Sequence, residues 1–240
     1  MPRSLQLSAT TLGLFHECPR CCWLHLRGGI RRPSRPFPSI TGGIDRLVQA
    51  YCDGARPALP ELLAGACGVL GVLDGARLAT PKIATLSWSP PGGPRLTGRL
   101  DDCLVLPDGR HAPLDHKSRG SRPEPGYSAQ YYQLQMDVYA LLVRENNYET
   151  YPEAFLAYYY PHHLDVGGSY VTADSTGRQP APRLEHGFPF ACTVEALPVS
   201  PARAIACYLA AVSCLDGPCP RLAPLSPCTY CLWADEVGRA

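Results

Sequence analysis

Apolar residues recur at helical spacing between Ser128 and Glu145, where Leu134, Val138, Leu141 and Leu142 share one face. That stripe predicts an amphipathic helix laid on a core. Upstream the period changes to two. It predicts strands over about Lys82–Trp88, Arg95–Leu106 and His111–Ser118, and again over Ala154–Tyr160 and Phe188–Leu197. Ser8–Leu26 reads as a first helix, with Ser8 or Thr10 as its cap. Gly43–Tyr51, with Ile44, Leu47 and Val48, is a second, and Leu59–Leu73 a short third. Pro201–Leu215 is a helix, and the tail is loop-rich. The Pro/Arg/Gly-rich stretch Arg27–Ser39 and the Gly- and Pro-bearing stretch Asp165–His186 read as loops. The order of helices, three strands, helix, two strands and helix is that of an α/β fold in one domain spanning 1–240. No internal repeat is present.

The turn Pro107-Asp108-Gly109 sets the register of the central hairpin. A type I turn followed by a left-handed glycine makes a three-residue loop. Leu106 then pairs with Arg110, and Asp101 falls opposite Asp115. Because side chains alternate, Asp101, Asp115 and Lys117 share one face. Leu96, Leu100, Leu104, Ala112 and Leu114 take the other, as a core face. Asp102 would point into that apolar layer. A two-residue loop would exchange Asp101 and Asp102.

Composition narrows the chemistry. Only Lys82 and Lys117 are lysines, against twenty arginines. Arginine serves wherever a cation merely has to be positive, so Lys117 marks a place where a compact ammonium of adjustable pKa is wanted. The net charge of +1 gives no global sign of nucleic acid. Locally, Arg20, Arg27, Arg31, Arg32 and Arg35 cluster near the N-terminus, as a phosphate-binding stretch or a solvated loop. Met1–Phe15 has no signal-peptide pattern, and no run of apolar residues approaches a membrane span, so a cytoplasmic location is expected. Twelve cysteines in a reducing compartment need an explanation other than disulfides.

Two carboxylates and a lysine on neighbouring strands suit a hard divalent cation, Mg²⁺ or Mn²⁺, held by oxygen ligands. Such a site can hydrolyse a phosphodiester, with Lys117 orienting or deprotonating water or stabilising developing charge. The alternative is a surface hairpin with an ordinary Asp–Lys pair. His116 would offer its backbone carbonyl near the metal, since its ring points away from Asp115. His162 and His163 are solvated loop residues or substrate contacts.

Gly98-Arg99-Leu100-Asp101, Asp115-His116-Lys117 and Gln135-Met136-Asp137-Val138-Tyr139, in that order, resemble the PD-(D/E)XK nuclease superfamily and more closely its RecB-like branch. That branch includes CRISPR-associated exonucleases and AddB-type nucleases. Gln135 and Tyr139, four apart, share a helical face. The stretch Leu7-Ser8-Ala9-Thr10 to Phe15-His16-Glu17-Cys18-Pro19-Arg20 looks like the family's opening helix. The resemblance covers about Leu7 to Cys231. It implies a restriction-endonuclease-like mixed central sheet flanked by helices, with 1–40 as opening helix and basic loop, 82–160 as catalytic core and 216–240 as C-terminal cysteine segment. It implies Asp101, Asp115, Lys117, Gln135 and Tyr139 as catalytic residues and a DNA substrate, single-stranded or with free ends. The arginines Arg27, Arg31, Arg32 and Arg35 would hold its backbone. Many relatives carry a metal-binding histidine on the second helix. Here its place falls to Asp45, as a further Mg²⁺ or Mn²⁺ ligand or a helix-surface residue.

Cys18-Pro19-Arg20-Cys21 and Cys228-Thr229-Tyr230-Cys231 are two C-x-x-C pairs. Each places two thiolates on one metal, and together they would clasp the two ends of the fold. The family implies a four-iron four-sulfur cluster there, usually with one N-terminal and three C-terminal cysteines. Two plus two is a departure that leaves zinc as the alternative, and Cys22, Cys214 and Cys219 as possible substitutes. Cys52, Cys67, Cys103, Cys192 and Cys207 read as core residues. The expectation is a metal-dependent deoxyribonuclease, with partners in repair, recombination or CRISPR adaptation. Its rivals are a catalytically inactive DNA-binding or adaptor subunit and a zinc-clasped interaction module.

Overall fold

A computed structural model describes residues 5–33, 39–161, 190–221 and 228–236. Arg35, His162 and His163 and the stretch 165–186 lie outside them.

The chain runs β1 (Gln6–Ser8), α1 (Ala9–Glu17), α2 (Pro19–Leu26), α3 (Ser39–Ala55), α4 (Glu61–Gly68), β2 (Arg77–Leu78), β3 (Thr85–Trp88), β4 (Arg95–Arg99), β5 (Asp102–Val105), β6 (His111–Ser118), α5 (Tyr127–Glu145), β7 (Glu153–Pro161), β8 (Phe190–Pro198), α6 (Pro201–Asp216) and α7 (Thr229–Glu236). Five strands form a mixed sheet in the order β2-β5-β6-β7-β8, with β6 and β7 parallel and the other pairs antiparallel. Helix α5 is the crossover that a parallel pair requires. The strands β1-β4-β3 make a small second sheet.

The larger sheet is buried on both faces. Leu156 and Tyr158 of β7 enter a core with Met136, Val138, Leu141 and Leu142 of α5. The alternate residues Phe155, Ala157 and Tyr159 enter a second core with Val48 and Cys52 of α3 and Leu63 of α4. Period-two burial on both faces is what a sheet between helical layers requires.

The hairpin has the register that its turn implies. Cys103 pairs with Pro113 and Leu104 with Ala112. The Leu106 amide donates to the Arg110 carbonyl at 2.9 Å, and Gly109 has φ +87°.

Two expectations need correction. The strand expected over Arg95–Leu106 is two, broken at Leu100–Asp101 where the chain passes from one sheet to the other. The break resets the alternation, so Leu96 and Leu100 pack in the first core while Leu104, Ala112 and Leu114 pack in the second. The helix expected over Ser8–Leu26 is two, because Pro19 cannot continue a helix and Cys18 is extended (φ −160°, ψ 103°). The loop-rich tail also carries a helix that the sequence did not announce, α7.

A glycine explains how closely α5 sits on the small sheet. A Cβ on Gly98 would collide with Leu142 Cδ1 and lie 3.3 Å from the Tyr139 ring. Gly98→Ala is therefore expected to cost about 1–3 kcal/mol through overpacking and to displace Tyr139. Denaturant unfolding would show the loss as a lower midpoint at unchanged slope.

Candidate functional site

Asp101 sits at the break between β4 and β5, and its Oδ2 accepts the His116 amide at 3.0 Å. Asp115, buried in β6, has its Oδ1 bonded by Gln135 Nε2 at 3.0 Å. Gln135 Nε2 also lies 3.0 Å from the Tyr139 hydroxyl, one turn along α5. Lys117 Nζ lies 2.6 Å from Asp115 Oδ2 and 4.4 Å from the centre of the Tyr132 ring. From α3, Asp45 Oδ1 accepts the Ser118 hydroxyl at 2.6 Å. These side chains line one cleft of about 430 Å³, with Thr41 and Gln49 on its α3 wall.

The electrostatics leave room for a cation. Burial pushes the Asp115 carboxyl above its ordinary value; Lys117 opposes this, and the like charge of Asp101 adds to it. A divalent ion beside two carboxylates would offset both the burial and the repulsion. Asp101, Asp115 and Asp45 supply the hard oxygen donors that Mg²⁺ or Mn²⁺ takes. Burial and the nearby carboxylates push the Tyr139 hydroxyl up to about 12, so it stays protonated.

The structure thus brings Asp101, Asp115, Lys117, Gln135, Tyr139 and Asp45 into one cleft. His116 lines it too, but its ring lies in the opposite layer against Cys52 and Tyr159. Tyr132, Thr41 and Gln49 belong to the same cleft and escaped the sequence reading. Their signals are spacings: Tyr132, Gln135 and Tyr139 lie three and four apart on α5, and Thr41, Asp45 and Gln49 lie four apart on α3.

The arginines are divided. Arg27 bonds the Leu215 carbonyl and Asp216, each at 3.0 Å. Arg32 pairs with Glu17 at 2.6 Å and reaches Cys228 Sγ at 3.5 Å. Arg31 is exposed. Arg27 and Arg32 thus have intramolecular partners.

The two C-x-x-C pairs meet. Each straddles a helix start, Cys18 before α2 and Cys228 before α7. The sulfurs of Cys18 and Cys231 are 3.6 Å apart, those of Cys21 and Cys228 3.7 Å, and those of Cys21 and Cys231 3.3 Å. Burial works against the Cys228 thiolate, yet the Cys231 and Tyr230 amides, Cys21 and the Arg32 charge hold its thiol at about 7. Four thiolates each about 2.3 Å from one tetrahedral ion stand roughly 3.8 Å apart, close to these separations. A four-iron four-sulfur cluster binds each thiolate on a different iron and spreads the sulfurs further. The cluster fits this pocket less well than a single ion does. Cys22, whose Sγ donates to the Thr11 carbonyl, stands outside the group of four.

A sequence model of the PD-(D/E)XK nuclease superfamily matches residues 53–235. The chain belongs to that superfamily. The match takes in Asp101, Asp115, Lys117, Gln135, Tyr139, Cys228 and Cys231; Asp45, Cys18 and Cys21 precede it. No curated protein matches the chain. The crystal structure of SSO0001 is similar over 89% of this chain and 78% of that one, at 14% identity and a TM-score of 0.37. Membership in the PD-(D/E)XK superfamily implies a metal-dependent nuclease, a hydrolase acting on a nucleic-acid backbone. Among the described residues no helix is long and apolar enough to cross a membrane.

Proposed function

We propose that this PD-(D/E)XK protein is an Mg²⁺- or Mn²⁺-dependent deoxyribonuclease of the RecB-like kind, acting on single-stranded DNA or free DNA ends, with the hairpin β5–β6 as its catalytic element. The observation that carries the reading is the meeting of Asp101, Asp115 and Lys117 in a cleft that Gln135 and Tyr139 close from α5. Asp101 and Asp115 would hold the metal, with Asp45 and the His116 backbone as further donors. When bound, the cation polarises the scissile phosphate and lowers the pKa of a water. Lys117, whose Nζ lies 2.6 Å from Asp115 Oδ2, would orient the attacking water or neutralise the charge that builds on the phosphoryl oxygens. Gln135 keeps Asp115 oriented by its hydrogen bond. Tyr139, protonated, holds Gln135 and presents a donor to the backbone.

Beside the cleft, Tyr127 and Tyr131 lie with ring centres 4.6 Å apart, and the Arg119 guanidinium lies 3.9 Å over Tyr127. Tyr131 is 59% exposed, free to stack on a base of single-stranded DNA. Tyr131→Ala is expected to raise KM for a single-stranded oligonucleotide about tenfold, with a smaller effect on duplex, and Tyr131→Phe to restore it. Steady-state kinetics on the two substrates check this.

The clasp is read as a zinc site, since its sulfur separations match one ion. The biological setting proposed is DNA-end processing, in repair, recombination or CRISPR adaptation, with protein partners from that setting. Mn²⁺-dependent degradation of end-labelled linear DNA, compared with a closed single-stranded circle, tests the reading. Loss of the linear species with survival of the circle supports exonuclease action. Survival of both supports a DNA-binding subunit instead.

A further inference from the structure

A second cluster of metal-binding side chains lies on the other side of the large sheet, behind the carboxylate cleft. Cys52 comes from the last turns of α3, Asp102 from the start of β5 and His116 from β6. Their ligand atoms all lie within 4.8 Å of one another. Cys52 and Asp102 are fully buried, and the His116 side chain is 6% exposed. His116 Nε2 is 3.8 Å from Cys52 Sγ and 3.5 Å from Asp102 Oδ2.

The 3.5 Å separation is long for a hydrogen bond, and both separations suit ligands of one ion. A tetrahedral zinc ion with bonds of about 2.3 Å to sulfur and about 2.0–2.1 Å to nitrogen and oxygen sets S···N near 3.6 Å and N···O near 3.4 Å. A single Nε2 proton cannot serve both neighbours, and Asp102 Oδ2, buried, accepts no hydrogen bond within normal range; its nearest cationic groups are the His116 ring at 3.5 Å and Lys82 Nζ at 4.0 Å. A buried carboxylate oxygen with only such distant partners is costly, and a cation bound directly to it would offset that cost.

The surrounding contacts are those that orient metal ligands. Asp102 Oδ1 is held by Arg56 at 2.6 Å, which fixes the carboxylate and leaves Oδ2 turned to the ring. Arg56 is itself steadied by Asp53 at 3.0 Å and by the Ala79 carbonyl at 2.7 Å. His116 Nδ1 lies 3.4 Å from the Tyr159 hydroxyl, which fixes the ring and leaves Nε2 to face Cys52 and Asp102.

We propose that Cys52, Asp102 and His116 form a second, buried zinc site that fastens α3 to the back of the β5–β6 hairpin. Sulfur, nitrogen and one carboxylate oxygen favour Zn²⁺ over Mg²⁺, which takes oxygen ligands. Binding deprotonates the Cys52 thiol and takes any proton from His116, so one divalent ion replaces up to two protons, and Arg56 and Lys82 face little change in local charge. Three protein ligands leave a fourth position for another donor. Because α3 also carries Thr41 and Asp45, the ion would hold one wall of the cleft against the strand that bears Asp115 and Lys117. The inference does not depend on whether that cleft cuts DNA.

The test counts metal by plasma mass spectrometry in full-length protein purified without chelator. The wild type is compared with Cys52→Ala and with the double clasp variant Cys228→Ser/Cys231→Ser. Cys52→Ala is expected to hold one zinc fewer per chain than the wild type. The clasp variant, with Cys52 intact, is expected to keep one zinc. Its cobalt form should show a thiolate-to-cobalt absorption band that a further Cys52→Ala removes. The proposal is overturned if folded Cys52→Ala carries as much zinc as the wild type. Should Cys52→Ala fail to fold, a folded clasp variant that retains no zinc overturns it just as surely.

Discussion

Lys117→Ala is expected to lower the rate of DNA cleavage by about 10²–10⁴-fold, the usual contribution of a positioned proton-transfer or charge-stabilising group. The fold should survive. Lys117 is partly exposed at the end of β6, and Asp115 keeps its bond from Gln135. Lys117→Arg is not expected to restore the rate. The guanidinium is planar, permanently charged and wider than the ammonium now 2.6 Å from Asp115 Oδ2. Initial rates with Mn²⁺, together with unfolding midpoints for all three proteins, check the effect. A Lys117→Arg protein with wild-type activity would show that the position needs only positive charge.

The second large effect concerns the clasp. Cys231 is fully buried and lies 3.3 Å from Cys21 Sγ and 3.6 Å from Cys18 Sγ, so Cys231→Ser removes the ligand most enclosed by its partners. The metal is expected to be lost, and with it the fastening of α7 to α2. Binding energy at a structural metal site is folding energy. A loss of about 3–5 kcal/mol would lower the unfolding midpoint by on the order of 10 °C in a chain of this size. Cys219→Ser, at a half-buried thiol outside the group of four, should leave both metal content and midpoint unchanged. Metal analysis and calorimetry on the three proteins settle the comparison. An iron-to-sulfide ratio near one in the wild type would instead assign a cluster.

Local chemistry carried the parts of the fold that were readable from sequence. Pro107-Asp108-Gly109 specifies its own turn, and the turn specifies which residues face each other across β5 and β6. The α5 stripe reads true because Leu141 and Leu142 are buried by the sheet whatever else surrounds them. Non-local chemistry was hidden. Asp102 looked misplaced in an apolar layer because its partner, Arg56, lies 46 positions upstream and reaches it only after α3 packs. The break at Asp101 was invisible because Leu96, Leu100 and Leu104 are spaced four apart, as on one face of a single strand, while entering different cores. The strands β1 and β2, of three and two residues, are too short to leave a period. In the cleft, carboxylates and lysine announced themselves by type. Tyr132, Thr41 and Gln49 are common residues, told only by their spacing on helices whose facing had yet to be known.

The proposed DNA cleavage stands or falls on a divalent metal held by Asp101 and Asp115. The most direct measurement is Mn²⁺-dependent cleavage of linear DNA by the wild type and by Asp101→Asn, with the metal content of the cysteine clasp determined in both. Cleavage that requires Mn²⁺, stops with EDTA and disappears in Asp101→Asn while the clasp metal stays is the expected result. Equal cleavage by the two proteins, or none by a wild type with its clasp filled, would contradict it.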